Sequence, residues 1–64
     1  MDLEPTVRRV REEFLEMPGL RLTPVQARRL WGLDGDACQA VIEALVACAF
    51  LKWTVGGAVT RAEG

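Results

Sequence analysis

Leu22-Thr23-Pro24-Val25-Gln26-Ala27-Arg28-Arg29-Leu30-Trp31-Gly32-Leu33-Asp34 is the stretch on which the reading of this chain turns. The Thr23 hydroxyl stands where it can accept from the backbone N–H three residues on, and Gln26 is placed to reach back to the Thr23 N–H. Pro24 takes the first helical position, where a missing N–H breaks no bond. Together they predict a helix that begins at Thr23 and stops at Gly32, a residue that tolerates the left-handed backbone of a helix end. Ala27, Leu30 and Trp31 are expected on its buried side. Asp34 then caps the next helix across a tight turn.

In that next helix Cys38, Val41, Ile42, Leu45, Val46 and Ala49 recur at i, i+3, i+4, i+7, i+8 and i+11, the clearest amphipathic pattern in the chain. Asp36, Gln39, Ala40, Glu43 and Ala47 fall on its opposite face. Upstream, Leu3, Val7, Val10, Phe14 and Met17 form one stripe and predict a first helix over 3–17, capped by Asp2, with Pro5 tolerated in its first turn. Arg8 and Glu12, and Arg9 and Glu13, are spaced to pair across turns. Pro18-Gly19 stops that helix. Leu20-Arg21-Leu22 alternates apolar and polar, too short for a strand unless it pairs with something later.

Downstream, residues 50–61 are rich in β-branched and aromatic types around Gly56-Gly57 and predict a hairpin. A two-residue loop would put Leu51, Trp53, Val55, Ala58 and Thr60 on one face. A three-residue loop moves Val59 onto it, and that register is favoured because it buries Val59. Residues 61–64 are expected to fray.

The 64 residues carry 8 basic and 9 acidic side chains and no histidine, which fits one small folded domain and excludes a disordered polyelectrolyte. No apolar run is long enough to span a bilayer, and Met-Asp-Leu-Glu-Pro lacks the basic and apolar regions of a leader, so a cytoplasmic protein with no membrane role is expected. Cys38 and Cys48, ten helical positions apart, are separated by about 15 Å, too far for a disulfide. They read as small, largely buried hydrophobes; no metal site and no cofactor are expected. With no histidine, no tyrosine, one lysine and no glycine-rich phosphate loop, no nucleophile and base can be nominated, and the chain does not read as an enzyme.

The order helix, short strand, helix, tight turn, amphipathic helix, hairpin resembles the winged helix-turn-helix domains. The resemblance rests on residues 22–34 as the helix-turn unit, on Ile-Glu-Ala-Leu-Val-Ala-Cys-Ala-Phe-Leu at 42–51 entering the wing, and on Gly56-Gly57 at the wing tip; Met-Pro-Gly-Leu-Arg-Leu-Thr is also similar to short bacterial proteins of this shape. It implies a mostly α, α+β fold in which three helices and a C-terminal wing form a single domain over 1–64, with residues 20–22 as a third strand beside the hairpin.

The resemblance implies a DNA-binding, transcription-regulator-like domain. Gly35, Asp36, Ala37, Gln39, Ala40 and Glu43 would then face the major groove, and Lys52, Thr54 and Arg61 the phosphates, with Arg28 and Arg29 the only cations in the helix-turn unit. Charge opposes this: from 34 to 64 the chain has Lys52 and Arg61 against Asp34, Asp36, Glu43 and Glu63. The alternative is a protein- or peptide-interaction module on the same scaffold, using Asp36, Gln39, Glu43, Trp53 and Leu15, the last about 120° from the centre of its helix's apolar stripe. The partners implied are double-stranded DNA on the first reading and a protein, a peptide or a second copy on the other. Trp31 and Trp53 are otherwise core or edge packing.

Overall fold

Local capping decides where the helices of this chain begin. In the computed structural model, which describes residues 2–62, they are α1 (Glu4–Glu16), α2 (Pro24–Trp31) and α3 (Gly35–Ala47), followed by strands β1 (Leu51–Trp53) and β2 (Val59–Arg61). The architecture is α+β and mostly α. At α2 the capping box is complete: Thr23 Oγ1 accepts from the Gln26 N–H at 3.2 Å, and Gln26 Oε1 accepts from the Thr23 N–H at 3.0 Å. At α3 the Asp34 carboxylate accepts from the Ala37 N–H at 2.7 Å. The capping residue of α1 is Leu3, which has no polar side chain; Asp2, one residue earlier, accepts from the Glu4 N–H at 3.0 Å instead.

Two helices end in the same way on different residues. After α2, Gly32 takes φ 67°, and the N–H groups of Gly32 and Leu33 both donate to the Arg28 carbonyl. After α3 the left-handed position falls on Ala49, φ 63°, with Ala49 N–H to Val46 O and Phe50 N–H to Leu45 O. Ala49 is therefore exposed and outside the helix, contrary to the expectation that the apolar recurrence of α3 runs through it. Met17 is likewise 51% exposed, because α1 stops at Glu16 and the turn into Pro18 swings it off the stripe.

The core is one layer shared by all elements. Val10 and Phe14 come from α1, Ala27 and Trp31 from α2, Cys38, Val41, Ile42 and Leu45 from α3, and Leu51 and Val59 from the hairpin, with Leu22 beside them. Leu30 is not part of it; at 56% exposure it leaves the buried side of the short α2 to Ala27 and Trp31. The expected Arg9–Glu13 pair gives way to an interhelical contact in which Arg9 Nη2 donates to the Trp31 carbonyl at 3.2 Å, a cation at a helix C-terminus.

In the hairpin, Leu51 pairs with Arg61, Lys52 with Thr60 and Trp53 with Val59. A three-residue loop, Val55-Gly56-Gly57, follows; Gly57 takes φ 84°, and Val59 is fully buried, as the favoured register requires. The third strand expected at 20–22 is reduced to a single antiparallel bridge between Leu22 and Val59. Pro18-Gly19 precedes the segment and the capping box of α2 begins at Thr23, so no length remains for a second pair. The Thr60 hydroxyl extends the attachment by donating to the Leu20 carbonyl at 2.9 Å. Among the described residues no helix is long and apolar enough to cross a membrane.

Candidate docking surfaces

Because Cys38, Val41, Ile42 and Leu45 turn inward, α3 presents Asp36, Gln39, Ala40, Glu43 and Ala47 to solvent. Ala37, which the resemblance would turn toward the major groove, is buried at 6% exposure. Gln39 Nε2 donates to Glu43 Oε2 at 2.9 Å, so the one amide on this face is held by its neighbour one turn away. What the face offers a partner is carboxylate. No lysine or arginine occurs anywhere in α3.

The cations lie elsewhere and are not gathered on this face. Arg28 reaches from α2 to the start of α3, where its Cζ would sit 3.9 Å from a Cβ built on Gly35. Burial pushes the Cys38 thiol up from its ordinary range, and the charge of Arg28 opposes that only in part. Arg29 instead borders a shallow apolar surface with Leu22, Gln26 and Leu30. Of the expected wing contacts, two are occupied in holding the hairpin. Thr54 Oγ1 accepts from the Ala58 N–H at 3.1 Å, and Arg61 lies over the Phe50 ring with Cζ 4.5 Å from its centroid. Arg11 of α1 approaches the same ring at 5.3 Å, tying α1 to the hairpin.

Lys52 has a different environment. Since Leu51 and Val59 point into the core, alternation turns Lys52 and Thr60 to the outer side of the sheet. There an open groove of about 690 Å³ is bordered by Pro18, Arg21, Lys52, Trp53, Thr60 and Arg61. Arg21 was absent from every candidate set that the sequence suggested. Its placement depends on the Leu22–Val59 bridge, a contact across 37 positions that no local pattern announces.

The residues proposed for a protein partner fall on three elements. Asp36, Gln39 and Glu43 share the outer face of α3, Trp53 is 44% exposed on the hairpin, and Leu15 is 52% exposed on α1. Trp31, at 4%, belongs to the core. Val25 and Leu30 are exposed apolar side chains of α2 that the sequence reading missed. Cys38 is buried as expected, but Cys48 is exposed, because it is the capping residue at the end of α3 and no longer on the inward stripe. Among the described residues no cluster of three or more metal-ligating side chains occurs. No protein family, curated protein or solved structure matches this chain.

Proposed function

We propose that the chain is a winged helix-turn-helix domain that serves as a protein-interaction module, docking a basic surface of a partner against the outer face of α3. The order of three helices and a hairpin, with Leu22 bridged to the hairpin, supports the winged-helix part of this reading. The observation that favours the module over a duplex reader is the chemistry of α3. A recognition helix entering the major groove runs between two rows of phosphates, and affinity there comes from lysine and arginine. Here the face carries Asp36 and Glu43, and Gln39, the residue suited to an adenine edge, spends its amide on Glu43.

Duplex binding keeps Arg28, Arg29 and Lys52, all exposed, as phosphate contacts. A titration with random duplex DNA at about 50 mM salt separates the two readings. The module shows no binding. Affinity that falls steeply with added salt and is lost in Arg28→Ala/Arg29→Ala overturns it. In the positive arm, a partner captured by the native chain is lost to Asp36→Arg/Glu43→Arg; capture unchanged by that reversal removes α3 from the interface.

A further inference from the structure

The outer side of the sheet has the opposite sign from α3 and a shape of its own. Leu22 is bridged to Val59, which places Arg21 beside Thr60, and Thr60 is the direct partner of Lys52. The three residues thus form a row across the sheet. With neighbouring strands about 4.8 Å apart, the backbones of Arg21 and Lys52 stand about 10 Å from each other on either side of Thr60. The Thr60 hydroxyl gives its proton to the Leu20 carbonyl, so the two cations supply the charge recognition. Among the described residues no aspartate or glutamate borders the groove, while Pro18, Trp53 and Val55 give it apolar walls. The groove, of about 690 Å³, is open to solvent along its length, which suits an extended segment laid across it rather than an enclosed small molecule.

We infer that this groove docks an acidic, extended peptide segment of a partner protein, with carboxylates meeting Arg21 and Lys52 and an apolar side chain between them on the groove wall. At about 3.3 Å per residue, and with alternate side chains of an extended segment sharing a face, acidic residues two apart stand about 7 Å from each other, a span that the long arginine and lysine side chains on either side of Thr60 reach. A nucleic-acid strand fits less well. The chain is net anionic at −1, so a long polyanion meets no favourable field at range and gains only a few local phosphate contacts. The apolar walls reward aliphatic or aromatic side chains, which a sugar-phosphate backbone lacks. The site does not involve α3 and stands whether or not the reading of that face holds.

The test is a titration of the full chain with a hexapeptide of alternating glutamate and leucine, capped at both ends, followed by amide chemical shifts. Saturable shifts centred on Arg21, Lys52 and Thr60 are expected. Arg21→Glu/Lys52→Glu should weaken binding by about tenfold, and the milder Arg21→Gln/Lys52→Gln by about threefold. Both positions are exposed, and far-UV circular dichroism checks that the variants fold. Asp36→Arg/Glu43→Arg, which raises the net charge from −1 to +3, does not weaken this binding, which separates failure of the groove from failure of the α3 interface. Absence of saturable shifts at millimolar peptide, shifts that map to α3, indifference to both groove variants, or tighter binding of an oligothymidylate or duplex at the same salt would each overturn the inference.

Discussion

The outer face of α3 and the outer face of the sheet differ in sign, in texture and in how they are made. On α3 the acidic residues come from one continuous segment, and Gln39 and Glu43 satisfy each other along the helix. On the sheet the cations come from residues 31 positions apart, brought together by one bridge and one hairpin register. Both nevertheless rest on the same buried layer, since Ile42 and Leu45 lie beneath the first and Leu51 and Val59 beneath the second. A chain of net charge −1 can thus hold two charged surfaces without large self-repulsion, because the two are of opposite sign. Their dependence on a shared core is what mutation tests most directly.

The largest effect is expected from cutting that layer. Ile42 is fully buried, and Ile42→Ala should cost about 2–5 kcal/mol, comparable with the whole stability of a domain this small. Urea unfolding should show the loss, and both surfaces should fail together. If one kept its binding, the two would not share a core. Gly57→Ala is the more selective cut. At φ 84° a side chain costs about 1–2 kcal/mol, and the strain falls on the hairpin loop. Hydrogen exchange should quicken at the Leu22 and Val59 amides, which donate to each other's carbonyls, before it quickens in α3. Equal acceleration everywhere would make the two faces one cooperative unit.

Much of this arrangement was legible from residue chemistry acting at short range. Thr23, Pro24 and Gln26 specified the start of α2, Gly32 its end and Asp34 the start of α3, because each cap is satisfied by atoms within a few residues. The hairpin register followed from the need to bury Val59. What failed was extrapolation of apolar stripes to their last members. Met17 and Ala49 lie beyond the ends of α1 and α3, where 3.6-residue periodicity no longer governs direction, and Leu30, inside the short α2, is left outside by Ala27 and Trp31. Nor did local pattern announce where two residues of the DNA-contact set would sit: Thr54 Oγ1 accepts from the Ala58 N–H and Arg61 lies over Phe50, contacts set by the loop and by tertiary packing. The sheet groove had no local signature at all. Once Leu22 is known to face Val59, alternation yields Arg21, but nothing near Leu22 names Val59 as its partner.

The junction that joins the two faces gives a smaller, stabilising effect. Ala49 occupies a left-handed position between α3 and β1 that glycine fills at the end of α2. Ala49→Gly relieves that strain at some entropic cost, for a net gain of about 1 kcal/mol or less. On a domain of this size that raises the thermal midpoint by a few degrees, at most about 8 °C. The Phe50–Leu45 and Ala49–Val46 bonds remain, so neither surface should change its affinity. A lowered midpoint would mean that the Ala49 methyl, exposed as it is, is anchored by contacts worth more than the strain.

The smallest effect bears most directly on how the α3 face is built. Gln39 and Glu43 are one turn apart, and a pair of this kind adds only about 0.2–0.5 kcal/mol to a helix, which the better helix propensity of alanine largely offsets. Gln39→Ala should therefore leave urea unfolding almost unchanged. Its consequence is chemical: Glu43 loses its local donor and presents both carboxylate oxygens to solvent. A partner that brings cations to α3 should then bind as well as before or slightly better, by up to about twofold for a fraction of a kcal/mol. A marked loss of affinity would identify the Gln39 amide as a direct contact that gives up Glu43 on binding, and the face would be reading a hydrogen-bonding partner rather than a basic one.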